Sequence, residues 1–254
     1  MSDLQIAVIS DVHGNRWALT AVLADIAQRG IRNIVNLGDC LYSPLDPAGT
    51  ADILMRLDIL TVRGNEDRMI VEPQAYKESA TLRFVREALQ PNHMRWLESL
   101  PLIRVVHDEL LLCHGTPKRD DEYLRWQLRN EAVVPRTVEE LVGMLAVADE
   151  PVVLCGHDHV PGAVRLPDGR LIVSPGSVGL QAFADDRPCP HVMKAGTPHA
   201  RYAVVARRED GWRAEHVKVS YDWHWAAEAA LNHGRSDWAQ WLTTGQVGCQ
   251  DSQA

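Results

Sequence analysis

The fold is decided by the stretch at residues 5–15, which reads QIAVISDVHGN. Its first half is a short apolar run that predicts a buried strand over 5–10, and a polar turn follows over 11–15. A helical pattern covers 17–29 and ends at Gly30. A second unit has a strand over 34–37, a Pro-rich loop and a helix over 48–56, and a strand over 59–62 starts a third. This alternation predicts parallel strands buried between helices, with functional loops at the carboxyl ends of the strands.

The rest of the chain is predicted to be a helical region followed by a strand-rich half. Residues 76–100 have a helical pattern, and 103–106 with 110–113 are predicted to form a hairpin. Further strands are expected at 152–155, 163–166, 171–174, 202–207 and 214–219, with a helix over 223–232. Residues 185–199 are interpreted as a loop, and the tail over 241–254 as frayed. Without repeats or a linker, residues 1–254 are expected to form a single domain.

Composition places the chain among ordinary globular proteins, with 46% apolar and 24% charged residues. A net charge of -8 argues against non-specific nucleic-acid binding, which depends on many lysines and arginines. No apolar run approaches the roughly 20 residues that span a bilayer, and the first residues lack the basic character of a signal peptide. We therefore expect a cytoplasmic protein without a membrane partner. The five cysteines have no CxxC spacing and are expected to be free core thiols.

Five short motifs share one layout, in which an apolar strand stops at a loop of Asp, His, Asn and Gly. They are SDVHGN at 10–15, LGD at 37–39, RGNED at 63–67, CHG at 113–115 and CGHDH at 155–159. Each motif alone is weak, although alternation in an extended segment predicts that His157 and His159 project to the same side. Together, carboxylate, amide and imidazole donors suit a divalent ion such as manganese, iron or zinc. The order of all five motifs predicts a metal site.

In this order the motifs resemble the calcineurin-like metallophosphoesterase superfamily. Its pattern is Asp-x-His, Gly-Asp, Gly-Asn-His-(Asp or Glu), a histidine before glycine, and Gly-His-x-His, and the match runs from residue 6 to about 180. The loop after Asp39 is similar to the small bacterial branch that includes YfcE-like phosphodiesterases and diadenosine tetraphosphate hydrolases. The resemblance implies an α/β fold that is a four-layer αββα sandwich with two mixed β-sheets, in place of the simpler layout above.

The resemblance also implies a site for two divalent metal ions, with manganese expected and iron, zinc, nickel or cobalt as alternatives. Seven positions match the ligands of the family, in two groups of three joined by one bridging carboxylate: Asp11, His13 and His159 for the first metal, Asn65, His114 and His157 for the second, and Asp39 between them. A bridging carboxylate suits two ions about 3.5 to 4 Å apart, which can also share a hydroxide. That hydroxide is the expected nucleophile for in-line attack, with Asp39, Asn65, His114 and Glu66 in the catalytic set.

Glu66 stands where the family usually has a histidine that assists the leaving group or the transition state. Near two dications its carboxyl is expected to have a lowered pKa and to be a poor proton donor at neutral pH. Its charge would repel a monoester dianion more than a diester, which predicts a preference for diesters or phosphoanhydrides. The alternative is that Glu66 points away and pairs with Arg63 or Arg68.

The predicted function is hydrolysis of phosphodiesters or dinucleoside polyphosphates, with a small phosphoester or a nucleotide as substrate. The alternatives are a phosphoprotein or phosphomonoester phosphatase, and a non-catalytic scaffold with the same fold. Candidate substrate contacts lie between the motifs, and Asn15 is equally a candidate helix cap: Asn15, Tyr42, Arg63, Arg68 and Lys118. The tryptophans at 223, 225, 238 and 241 are expected to pack or to form a subunit contact rather than to stack on bases. The sequence does not constrain the oligomeric state.

Overall fold

In the computed structural model, which describes residues 4–248, strands make up two large sheets and two small hairpins. The strands are β1 (Gln5–Ile9), β2 (Asn33–Asn36), β3 (Leu60–Thr61), β4 (Ile103–Val106), β5 (Leu110–Cys113), β6 (Trp126–Arg129), β7 (Ala132–Pro135), β8 (Val152–Leu154), β9 (Gly162–Arg165), β10 (Leu171–Ser174), β11 (Ala182–Asp185), β12 (His191–Lys194), β13 (Ala200–Arg208) and β14 (Gly211–Val219). The helices are α1 (Arg16–Gln28), α2 (Pro47–Arg56), α3 (Asn65–Val71), α4 (Ala80–Ala88), α5 (Pro91–Glu98), α6 (Val138–Met144), α7 (Trp223–Asn232) and α8 (Ser236–Thr244), with a short 3₁₀ turn at Pro73–Ala75.

Both large sheets are mixed. The first has the strand order β14-β13-β1-β2-β3, in which β1 is parallel to β2 and antiparallel to β13. The second has the order β4-β5-β8-β10-β9, in which β8 is parallel to β5 and β10, while β9 is antiparallel. This topology confirms the sandwich implied by the resemblance. It corrects the simpler layout of one parallel sheet between helices.

The core is divided into layers by the alternation of side chains along the strands. In β1, Ile6 and Val8 pack in a cluster formed by both sheets, whereas Ala7 and Ile9 pack in a cluster with α1, α2, α4 and α5. On the outer face of the second sheet, α6 contributes Leu141 to a separate cluster. Each fully buried aliphatic side chain of these layers stabilises the fold by about 1.5–3 kcal/mol. The layers therefore hold the strands, and with them the loops at their ends, in fixed positions.

Several element predictions need correction. The helical region at 76–100 is two helices, because Ser79 caps α4 and Pro91 begins α5. The predicted loop at 185–199 contains β12, whose alternating burial is a strand pattern interrupted upstream by prolines. The prediction of a frayed tail from residue 241 is wrong where α8 continues through Trp241 to Thr244, and residues 249–254 lie outside the described residues. Within 4–248, no helix combines the length and apolar character needed to cross a membrane.

Candidate metal centre

The predicted ligand residues lie in loops at the carboxyl ends of strands from both sheets. They follow β1 (Asp11, His13), β2 (Asp39), β3 (Asn65), β5 (His114) and β8 (His157, His159). Since β1, β2 and β3 run parallel in one sheet, and β5 and β8 run parallel in the other, their carboxyl ends meet at one end of the sandwich. The fold thus brings residues that are up to 148 positions apart into one site, and all seven are present there.

The backbone at this site has a conformation that is costly for residues other than glycine. Five of the seven residues have a positive φ: Asp11 (54°), His13 (47°), Asp39 (51°), His157 (71°) and His159 (56°). Each costs about 1–3 kcal/mol and persists only when its surroundings impose it. Backbone hydrogen bonds between the loops do so, from Asp11 N to Gly38 O at 2.9 Å and from His13 N to Asp39 O at 3.0 Å. Such clustering of strain is typical of a functional site.

The first group of donors comprises Asp11, His13 and His159, all buried. The Nε2 atoms of His13 and His159 are 3.1 Å apart, and His159 Nε2 is 3.3 Å from Asp11 Oδ1. Burial alone would raise the pKa of Asp11, but His159 and the other neighbouring histidines hold it well below its usual value. Asp11 therefore supplies an ionised oxygen at neutral pH.

The second group comprises Asp39, His114 and His157, with Asn65 beside them. His114 Nε2 is 3.1 Å from Asp39 Oδ2 and 3.1 Å from Asn65 Oδ1. A carboxylate oxygen of Asp39 also lies within 4.8 Å of a ring nitrogen of His13, which belongs to the first group. The Asp39 carboxylate thus lies next to donors of both groups, which is the position that a bridging carboxylate requires.

The donor atoms are oriented as metal ligands are. The Nδ1 atoms of His114 and His159 donate to the backbone carbonyls of Leu37 at 2.8 Å and Leu180 at 2.6 Å. A hydrogen bond of this kind fixes the ring and directs Nε2 inwards, as in metal-binding histidines. Imidazole nitrogens, carboxylates and one amide oxygen fit divalent transition-metal ions. The residues present therefore fit the metal pair that the family pattern implies.

The histidines differ in charge when no metal is bound. Burial alone would lower the pKa values of His13 and His114. Hydrogen bonding and charge attraction raise them instead, to about 9 for His13 beside Glu66 and to about 10 for His114 beside Asp39. Burial and the charge of His114 lower the pKa of His157 to about 3. At neutral pH, His13 and His114 therefore each carry an extra proton, although a metal ion would need both imidazoles in the neutral form.

These protons predict that metal binding strengthens with pH. Because His13 and His114 must each lose a proton, the apparent affinity for Mn²⁺ should rise by up to about 100-fold per pH unit between pH 6.5 and 8.5. Isothermal titration of Mn²⁺ in buffers with different ionisation enthalpies measures both the affinity and the protons released. Release of about two protons at pH 7 is expected, whereas an affinity that is flat over this range would contradict the assignment.

The comparison with known families agrees with this geometry. Residues 4–194 match the calcineurin-like phosphoesterase superfamily domain. The chain belongs to this superfamily. The resemblance that the five motifs indicate is therefore confirmed, and it extends over most of the sequence.

Individual similar proteins match almost the full length. An uncharacterised protein of Methanocaldococcus jannaschii, MJ0912, is 27% identical over 256 residues, covering 92% of this chain and 94% of that protein. The crystal structure of a metallophosphoesterase from Sphaerobacter thermophilus is 24% identical with a TM-score of 0.74, covering 96% and 99% of the two chains. The crystal structure of protein PH1004 from Pyrococcus horikoshii OT3 is 18% identical with a TM-score of 0.73, again covering 96% and 99%. These structures show a shared fold.

Glu66 departs from the superfamily pattern and contacts a predicted ligand. Its Oε2 lies 3.1 Å from His13 Nδ1, and its side chain is 22% exposed at the site. The alternative pairing with an arginine is wrong, because Arg63 and Arg68 both lie against Asp120, at 3.6 and 2.7 Å. Without metal, burial raises the pKa of Glu66 to about 7. The lowered pKa expected beside two dications concerns the metal-loaded site and stays a prediction.

Two adjoining cavities border the predicted ligand residues. The smaller, about 230 Å³, borders ligands of both groups, including His13, His159 and His157, and its wall also includes Trp238 and Trp241. The larger, about 660 Å³, borders Asn65 and His157. The two share Asn65 and His157 in their walls, so together they form one groove that passes the candidate metal centre. The two tryptophans pack in an apolar cluster as expected and also line the site.

The predicted substrate contacts divide according to these cavities. Tyr42 lines the smaller cavity and Arg68 the larger, whereas Arg63 and Lys118 line neither. Asn15 is buried and acts as the cap of α1, because its Oδ1 accepts a hydrogen bond from Ala18 N at 3.1 Å. Its Nδ2 donates to the Gly179 carbonyl at 2.9 Å. The capping interpretation of Asn15 is thus the one that the structure shows.

One supporting contact was not predicted from the sequence. Asp158, which lies between the two histidines of the last motif, accepts hydrogen bonds from Arg125 Nη2 at 2.8 and 3.0 Å. It also accepts from Val160 N at 2.9 Å and Ser174 Oγ at 3.1 Å. Both members of the ion pair are buried. The pair fixes the loop that carries two predicted ligands, and only its aspartate stood in a recognisable motif.

Proposed function

We propose that this superfamily member is a metal-dependent phosphoesterase that hydrolyses phosphodiesters or dinucleoside polyphosphates. The groove formed by the two cavities is the main support, since the smaller cavity borders both His13 and His157 and the larger also borders His157. A phosphate held between the two groups of ligands can direct one substituent into each cavity. A diester or phosphoanhydride has two such substituents, whereas a monoester has one.

The side chains have separable roles in this proposal. Two divalent ions, with manganese preferred, would polarise the phosphoryl group and lower the pKa of a water molecule. Asp39 and Asp11 supply the buried negative charge that holds the ions, and Asn65 adds a neutral oxygen. The hydrogen bond from His114 Nδ1 to the backbone carbonyl of Leu37, just after β2, holds the imidazole in place. The strained loops keep these atoms in place before substrate arrives, which reduces reorganisation during the reaction.

Glu66 supports the preference for diesters. Its carboxylate lies beside His13 on the wall of the smaller cavity, where it faces the charge of a bound phosphate. One additional negative charge about 6 Å away costs about 3 kcal/mol at an effective dielectric constant of 20, and bound cations offset part of this. A monoester dianion therefore meets more repulsion than a diester monoanion.

The proposal predicts manganese-dependent hydrolysis of bis(p-nitrophenyl) phosphate by chelator-stripped protein. We expect kcat/KM for this diester to exceed that for p-nitrophenyl phosphate by at least about tenfold, a difference of about 1.4 kcal/mol. Glu66→Gln keeps the shape of the side chain and removes its charge. It should reduce the ratio of diester to monoester kcat/KM by raising monoester turnover. Faster turnover of the monoester than of the diester by the wild-type protein would reject the preference.

The alternatives make different predictions. A phosphoprotein phosphatase should hydrolyse a phosphopeptide faster than a diadenosine polyphosphate, which paired assays of the same preparation would reveal. A scaffold should bind no divalent metal, although the seven predicted ligand positions are occupied by donor residues in this chain. Metal analysis of the purified protein separates the scaffold from both enzymes.

A further inference from the structure

The larger cavity has features that exceed what binding of a phosphate requires. Its volume of about 660 Å³ lies within the range of small-molecule sites. One end borders Asn65 and His157 of the metal centre, and the walls carry the aromatic rings of Tyr76 and Trp126. A cavity of this kind suits a planar group attached to the reacting phosphate.

Trp126 brings a partly exposed indole ring to this cavity. Its indole N–H is buried and has no hydrogen-bond partner among residues 4–248. The Arg125 guanidinium lies 5.9 Å from the centre of the Trp126 ring and also binds Asp158 in the metal-site loop. The ring is therefore positioned relative to the metal centre. Because the buried N–H is not accessible from the cavity, the ring would contribute to ligand binding by stacking on a planar group.

Arg187 is the cation of this wall that remains open to a ligand. The other three arginines of the wall are each paired with an acid in residues 120–122, at distances of 2.7 to 3.1 Å: Arg68, Arg119 and Arg136. Arg187 lies between β11 and β12, is exposed, and has no ion pair within the described residues 4–248. It lines both cavities. Its guanidinium can therefore meet a phosphate near the metal centre.

We infer that the larger cavity binds the nucleoside part of a nucleotide substrate, with the base on Trp126 and the adjoining phosphate on Arg187. A nucleobase has a flat π surface, which matches the aromatic wall of the cavity. Guanidinium groups bind phosphates through paired hydrogen bonds. The inference rests on the proposed phosphoesterase function for its choice of substrate class, and it adds the location and the residues that select a nucleotide.

Calorimetric titration of the manganese-loaded full chain with AMP, adenosine and inorganic phosphate tests the assignment. Trp126→Phe replaces the indole by a smaller stacking surface, and should weaken binding of AMP and adenosine by about fivefold while phosphate binding is unchanged. Arg187→Gln should weaken AMP binding by about tenfold or more and leave adenosine within twofold. Matched controls are Trp225→Phe, at an exposed tryptophan of α7, and Arg95→Gln, at an exposed arginine of α5. Neither residue lines the cavity.

The outcomes separate this inference from the proposed function. Adenosine binding that is undetectable in the wild type, or AMP binding unchanged in Trp126→Phe, overturns the nucleoside assignment even if bis(p-nitrophenyl) phosphate is hydrolysed. Conversely, AMP binding that depends on both residues supports the assignment even if no phosphodiester is cleaved, in which case the proposed function fails instead. If Trp126→Phe and Arg187→Gln have the same unfolding midpoints as the two control variants, the changes in binding do not reflect misfolding.

Discussion

Replacing Asp39 by asparagine is expected to lower manganese-dependent hydrolysis of bis(p-nitrophenyl) phosphate by about 10³-fold. Its carboxylate lies between the two groups of donors, so loss of the charge should remove at least one ion from the centre. A bound ion contributes several kcal/mol of charge stabilisation, and about 4 kcal/mol corresponds to 10³ in rate. Steady-state kinetics and metal analysis of the same samples should show the two losses together.

Asparagine is chosen because this substitution is expected to leave the fold unchanged. Asp39 has a φ of 51°, and asparagine adopts this left-handed conformation more readily than alanine does. Its side-chain oxygen can still accept the hydrogen bond from Glu66 N, which is 2.9 Å from Asp39 Oδ1. Asp108→Asn is the matched control, because Asp108 has a φ of 56° in an exposed turn away from the site. Full activity in Asp39→Asn would disprove its place at the metal centre.

The position of the site was predictable because each motif lies at the end of a predicted strand. Each motif follows an apolar run, and the carboxyl ends of adjacent parallel strands meet at one edge. Asp11 and Asp39 follow neighbouring strands, so their proximity follows from the pairing of β1 with β2. The pairing of β5 with β8 brings His114 beside His157 in the same way. Local strand pattern thus sufficed to place the motifs at strand ends, and the resemblance supplied the grouping of the ligands and the face-to-face arrangement of the two sheets.

The walls of the groove were not predictable by the same reasoning. They come from the β6–β7 and β11–β12 hairpins, which lie in segments with weak or interrupted alternation. Prolines at 188 and 190 indicated a loop where β12 in fact pairs with β11. Arg187 and Trp126 reach the cavity only because these hairpins fold over the metal centre. Contacts of this kind depend on tertiary packing, which no local pattern in the sequence encodes.

Replacing Arg125 by methionine is expected to destabilise the protein by about 3–5 kcal/mol, because it leaves the Asp158 carboxylate buried without its cation. Chemical unfolding of the metal-free protein at pH 8 measures this loss. Burial raises the pKa of Asp158 even though Arg125 opposes the shift. Without the arginine, the carboxyl should take up a proton more readily in the folded state. The destabilisation should therefore be smaller at pH 5 than at pH 8, since lower pH favours the neutral form that burial tolerates.

Arg129→Met provides the control for the loss of an arginine from the same hairpin. Arg129 pairs with Glu140 at the surface, where its side chain is 55% exposed, and such a pair contributes about 0–1 kcal/mol. If Arg125→Met costs no more than this control, the buried pair does not hold the loop. If it costs the expected amount, Asp158→Asn added to Arg125→Met should restore part of the stability, because the unpaired charge is then gone. Recovery of stability without recovery of Mn²⁺ affinity would show that the ion pair also positions the histidines on either side of Asp158.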